Sequence, residues 1–250
     1  MDVVLEQAST SFSVSSFDHT PPVLLSTAEI LLANDYDELV AEVQTLQRRR
    51  VRNVSIRRQR AMRIGKNVLK CVLQDAGMEV CTLGFAGGFT GTLGRTWKQA
   101  VDDTRRALEL ASELQARAVV VLPGCRGLHT YNHAERCVRE GLEGCLDDAL
   151  RFRVDMLVPL NSVLGTSRDV FQPQQTGCMD WIDSFETHRI KAMMVLRGGS
   201  PWARLPGCWE RCLESGGALR ISGRTRRLLG RHDIVRRILA SMENAAVPVS

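Results

Sequence analysis

Three sets of residues in this sequence have types and spacing that could do chemistry. The first is Leu83-Gly84-Phe85-Ala86-Gly87-Gly88-Phe89-Thr90-Gly91-Thr92-Leu93-Gly94-Arg95. Its five glycines let the backbone turn sharply and lie close to a ligand. Gly87 and Gly88 are candidate donors of backbone N–H groups to such a ligand. No Gly-Lys-Ser/Thr follows, so this is not a P-loop, and it is not a G-x-G-x-x-G fingerprint either. The second set is His129, Asn132 and His133. Two imidazoles at i, i+4 can share a helix face and a metal. The same residues stand where a helix starts, where an Asn caps backbone donors. Direct contact with a ligand is a third role, and all three stay open on sequence alone. The third set is cationic. Arg197 precedes Gly198-Gly199, and Arg220 lies in Leu219-Arg220-Ile221-Ser222. A guanidinium offers a two-pronged fork to phosphate or carboxylate. Alternation does not settle which way Arg220 points. Arg57 and Arg58 end another apolar run and could join the same rim.

These residues are spaced along a chain in which strand and helix patterns alternate. Val23–Thr27 reads as a first strand, followed by a helix capped at Asn34 or Asp35 with Leu39, Val40, Val43 and Leu46 on one face. Val51–Arg57 reads as a second strand. Ile64, Val68, Leu69 and Val72 form the stripe of a second helix closed by Gly77. Glu79–Phe85 is a third strand. Thr96–Gln115 is the clearest helix, and Ala118–Leu122 is an apolar run covered on both faces. A helix then passes through His133, Val138, Leu142, Cys145 and Leu146. Strands follow at Val154–Leu160, Ile190–Leu196 and Ala218–Ser222. Short helical patterns lie at Trp181–His188, Trp202–Leu213 and Ile234–Met242. Ala246–Ser250 looks like an eighth strand that stops early. This repetition predicts an α/β fold, a (β/α)8 TIM-type barrel with its last strand short or incomplete, the alternative being an open doubly wound sheet. The expected organisation is a polar, Ser-rich tail over residues 1–20 and one barrel domain over 21–250.

The chain has 250 residues, the usual size of one such barrel. No apolar run reaches the roughly 18 residues of a membrane span. The start of the chain lacks a basic n-region, so no secretory signal is expected. The eight cysteines contain no Cys-x-x-Cys pair and read as reduced thiols in a cytoplasmic protein. Net charge is +5, unevenly distributed. Residues 1–47 hold no Lys or Arg, and then Arg48, Arg49, Arg50, Arg52, Arg57, Arg58, Arg60 and Arg63 follow with no acid between them. Val51, Val54 and Ile56 interrupt that run in strand alternation, which favours a helix end, a strand and a rim loop over a nucleic-acid arm. Asp102-Asp103 with Arg105-Arg106 reads as an ion-paired helix face. Trp97 reads as a packing anchor.

The motifs resemble a known family. Gly84-Phe85-Ala86-Gly87-Gly88-Phe89-Thr90-Gly91 is similar to the third βα-loop of the sugar phosphate isomerases/epimerases, the xylose isomerase-like TIM barrels. His129-Thr130-Tyr131-Asn132-His133-Ala134 is similar to a segment after their fourth strand. The resemblance implies a sugar or sugar phosphate ligand at the C-terminal face of the barrel. It also implies a divalent metal held by Glu, Asp, His and Glu at the ends of strands five to eight, with the glutamates moving a proton beside a carbonyl. This chain departs from that set. Val158 stands where the first glutamate would fall, Leu196-Arg197 where the aspartate would, and Arg220 where the histidine would. Val and Leu offer no donor to a hard cation, and arginines repel one. No bound metal or other cofactor is therefore expected, and the mouth should attract anions.

Two functions follow as expectations. One is an isomerase/epimerase-like barrel that takes a sugar or sugar phosphate, with its usual metal-dependent proton transfer in doubt. The other is a non-catalytic binding or regulatory barrel that recognises an anionic ligand or an acidic partner. Ligand-contact candidates are Gly87, Gly88, His129, Asn132, His133, Arg197 and Arg220. Neither a membrane nor nucleic acid is expected as a partner, and a homo-oligomer is compatible with the pattern.

Overall fold

In a computed structural model, the structure describes residues 28–91, 94–159, 178–185, 187–196 and 218–221. Seven strands form one sheet: β1 (Glu29–Ile30), β2 (Asn53–Arg57), β3 (Glu79–Gly87), β4 (Ala118–Leu122), β5 (Asp155–Pro159), β6 (Ile190–Leu196) and β7 (Ala218–Ile221). The helices are α1 (Tyr36–Arg48), α2 (Arg58–Ile64), α3 (Lys66–Asp75), α4 (Trp97–Glu113), α5 (Tyr131–Glu143), α6 (Leu146–Phe152) and α7 (Cys178–Asp183). Every neighbouring strand pair is parallel, and the strand order is the sequence order. A doubly wound sheet must reverse its order at a switch point. This sheet has no reversal, so right-handed crossovers lay all the helices on one face. The other face can be shielded only by curling the sheet on itself, which is a (β/α) barrel.

The core divides accordingly. One large apolar cluster joins helix residues such as Leu39, Leu69, Leu108 and Leu142 to Val54, Ile56, Val119, Val121, Met156 and Val158. A second cluster is made of strand residues alone: Ala118, Val120, Leu157 and Met193, with Phe85 and Leu122 packed on it. Alternate residues of β4 and β5 thus face the helices and the barrel lumen in turn. On the β2–β3 side the lumen layer is polar, and Thr82 Oγ1 donates to Ser55 Oγ at 2.8 Å.

Most expected elements are present, with shifts. The helix expected through Leu146 is two, broken at Gly144 and Cys145, and the one expected at Trp181–His188 runs over Cys178–Asp183. The strand that pairs with β2 is Glu29–Ile30, while Val23–Thr27 lies outside the described residues. The expected second helix is two helices, because Gly65 at φ 94 breaks the turn between them. The helix after β4 starts at Tyr131, with Thr130 as its N-cap rather than Asn132. Asp35 caps α1, and Thr96 with Gln99 forms a capping box on α4. Trp202–Leu213, Ile234–Met242 and Ala246–Ser250 lie outside the described residues.

Candidate functional site

The glycine segment continues the β-ladder beyond the last residue of β3. Gly88 N donates to Leu122 O at 2.8 Å, and Phe89 N donates to Pro123 O at 3.0 Å. Gly91 N then turns back onto Gly88 O at 3.1 Å. Two glycines are required by contact. Gly87 has φ +97, and a Cβ there would sit 2.1 Å from Leu122 O. Gly124 has φ +111, and its Cβ would sit 2.5 Å from Thr90 Oγ1. The loops after β3 and β4 therefore touch backbone to backbone. The Gly84–Phe85 peptide in this segment is cis.

Three side chains lock the arrangement from behind. Gly87 N donates to Thr104 Oγ1 at 3.1 Å, and that hydroxyl donates to Ala100 O on α4 at 2.8 Å. Phe89 is fully buried, and its ring lies where a Cβ on Gly141 of α5 would be, 2.4 Å from the ring's Cδ1. Burial of such a ring contributes about 1.5–3 kcal/mol. Trp97 Nε1 donates to Cys137 O at 3.0 Å and so ties α4 to α5 through a hydrogen bond, its ring being exposed rather than the packing anchor expected.

The histidines close the site across the two loops. His129 Nε2 meets Thr90 O at 2.9 Å. A carbonyl only accepts, so Nε2 carries the hydrogen and Nδ1 is left as an acceptor. His129 lies in the loop before α5 rather than on the helix, and its ring is 4.8 Å from that of His133. His133 Nδ1 is 3.1 Å from Arg136 Nη2, which can only donate, so its Nε2–H points at Cys137 Sγ, 3.5 Å away. Burial, with help from Glu140, pushes the Cys137 thiol up against the opposing pull of Arg136. Both Nε2 atoms are thus committed to bracing, and a metal shared by the two rings would have to take His129 Nδ1 and break one of the two His133 contacts.

The structure brings Gly87, Gly88, His129 and His133 together at the C-terminal ends of β3 and β4, the face that carries the chemistry in barrel enzymes. Asn132 is exposed on the first turn of α5. Arg197 lies outside the described residues, and Arg220 holds the register position opposite Val195 on β6. Sequence reasoning missed Thr104, Thr90 and the Phe89–Gly141 contact. A Thr four residues after a buried Ala on the inner helix face was the available signal for the first.

Among the described residues, the position where the resemblance puts the divalent ion's first ligand offers it no donor. Val158, expected at the glutamate's place, packs in the helix-side cluster and so cannot face the lumen. The lumen residue of β5 is Leu157, and that of β6 is Met193. Asp155 begins β5 at the opposite end, where Arg189 Nη1 reaches it at 2.8 Å and Lys191 Nζ at 2.7 Å. Among the described residues no three His, Cys, Asp or Glu side chains converge as a metal group.

Neither a protein-family model nor a curated protein matches this sequence. Solved structures do match its fold. 3-Keto-D-glucoside 4-epimerase YcjR from E. coli superposes with a TM-score of 0.58 at 12% identity, over 87% of this chain and 98% of that one. A D-psicose 3-epimerase matches at 0.57 and 11%, over 88% and 96%. An AP endonuclease, family 2, from Brucella melitensis matches at 0.59 and 12%, over 80% and 95%. The sequential parallel sheet, its separate lumen cluster and these neighbours together give this chain the fold of the xylose isomerase-like TIM barrels.

Proposed function

We propose that this protein is an isomerase/epimerase-like barrel that binds a sugar or sugar phosphate at the C-terminal mouth, without the metal-dependent proton transfer that its sequence resemblance implies. The observation that carries the reading is the clasp of Gly87–Gly91 to the β4 loop through His129 and Gly124. It is a rigid, backbone-rich wall beside half-buried Phe85 and Leu122. The N–H groups of Gly87, Gly88, Phe89 and Gly91 are bonded within the protein, so the donor role expected of Gly87 and Gly88 is not open to a ligand. The wall suits a sugar through backbone carbonyls that accept from its hydroxyls and apolar groups that pack on its C–H face. The named ligands and substrates of the fold neighbours are sugars in two of the three cases above. In this reading His129, Asn132 and His133 flank the ligand, and Arg197 and Arg220 remain candidate anion contacts to be tested by substitution. Toward the mouth the described lumen residues Val120, Leu122, Leu157 and Met193 offer no general base, which supports binding rather than proton abstraction at a carbonyl-adjacent carbon. Cys71, Cys81, Cys125, Cys137 and Cys145 form no disulfide, which supports a cytoplasmic setting.

The test is thermal stability with fructose and with a fructose monophosphate at equal ionic strength. A ligand that binds only the folded state adds about 2.7 kcal/mol at a hundredfold excess over its Kd. The reading expects a sugar-dependent rise in Tm. No rise with either compound, or with a wider panel of pentoses and hexoses, would sink it.

A further inference from the structure

We propose that Arg57 grips the anionic group of the ligand, so that the preferred ligand is a sugar bearing a phosphate or a carboxylate; this rests on the sugar-site reading above. Alternation on β2 provides the first argument. Val54 and Ile56 pack with the helices, while Ser55 between them bonds Thr82 on the lumen side. Arg57 is the next residue of that second set, and its backbone is still extended, at φ −79 and ψ 129. Its side chain therefore leaves the C-terminal end of β2 toward the mouth. Its register partner is Gly84, so it stands beside Phe85, the half-buried ring at the top of the lumen cluster.

The neighbouring arginines provide the second argument, because each is already used. Arg58 points the other way and forks Asp103 at 2.7 and 2.8 Å, with a further bond to Asp103 O at 3.0 Å. Arg95 meets the same carboxylate at 2.8 Å. Arg60 donates to Leu31 O at 3.0 Å. Arg57 is exposed and makes no hydrogen bond or ion pair among the described residues. The lumen-side carboxylate of β5, Asp155, lies at the opposite end and is held there by Arg189 and Lys191, while toward the mouth the described residues of β4, β5 and β6 present Val120, Leu122, Leu157 and Met193. A ligand lying across Phe85 and Leu122 would place an anionic end on the open guanidinium fork, which matches paired oxygens of a phosphate or carboxylate.

The experiment compares wild type, Arg57→Ala, Arg57→Lys and Arg220→Ala. Titration calorimetry gives affinities for fructose, a fructose monophosphate and gluconate, and phosphorus NMR line broadening follows inorganic phosphate. The expected result is that Arg57→Ala weakens the anionic ligands about tenfold or more while fructose binding and Tm hold. Arg57→Lys recovers only part, since an ammonium has no fork. The phosphate and gluconate arms show which anion is preferred. The inference is overturned if wild type gains nothing from the anionic group, if Arg57→Ala binds anions as wild type does, or if only Arg220→Ala removes the gain. Failure of fructose to bind wild type counts against the sugar-site reading instead, and inorganic phosphate still tests Arg57.

Discussion

At the scale of single residues, the structure separates side chains that the sequence presents as equals. Arg57 and Arg58 are adjacent in the sequence, yet one faces the mouth and the other is spent on Asp103. Sequence reading placed both on the rim, because a run of arginines carries no sign of which has a partner 45 residues away. Val158 shows the same limit, since one residue of register moves a side chain from the lumen to the helices. The glycines were legible as a class, but only the packing shows that Gly87 cannot accept a Cβ. Gly87→Ala is expected to lower stability by on the order of 3 kcal/mol, from positive-φ strain and overlap with Leu122 O, read as a shift of the urea midpoint. Buried thiols give a pH prediction. Burial raises Cys81 from 9.0 to about 11 and Cys145 from 9.0 to about 12, with Arg117 and Arg105 opposing. A folded-state value above the unfolded one means that the folded protein holds its proton longer. Stability from these groups is whole below pH 9 and falls as pH rises toward 11 and 12. The slope is about 1.4 kcal/mol per pH unit for each group. Urea midpoints at stepped pH should show this fall, and Cys145→Ala should make it shallower.

At the scale of elements, α4 is both a packing element and a support for the loop. Its Thr104 hydroxyl holds Gly87 N, so Thr104→Val leaves a buried donor without its acceptor. The cost should be about 1–3 kcal/mol, and sugar affinity should fall because the loop is no longer pinned. Thr96→Ala removes one half of the capping box at the other end of the same helix and should cost about 1 kcal/mol without changing ligand affinity. The pair of variants distinguishes helix stability from loop support. Elements with strong periodicity were legible from sequence: β4, β6, α4 and the Asp35 cap fall where they were expected. The break at Gly65 was not, because an apolar stripe runs through Ile64, Val68 and Leu69 as if the helix were whole. A single positive φ stops the helix while leaving the stripe intact.

At the scale of the whole molecule, the sequential parallel order predicts one cooperative unit. Strands β2 to β6 each touch two neighbours through continuous ladders, so a break anywhere exposes both core clusters. Limited proteolysis should leave one resistant core, and two separable cores would contradict the barrel. The alternation of strands and helices made the architecture readable without a structure. The ligand wall was readable only in part, since His129, Thr90 and Gly124 meet through contacts between loops rather than through spacing. The most direct measurement of the central claim is backbone hydrogen exchange with and without a saturating sugar or sugar phosphate from the thermal scan. The account predicts added protection at residues 84–91 and 123–133 and at the C-terminal ends of the strands. Protection instead at the opposite end, around Lys70, Glu79 and Arg117, would contradict it.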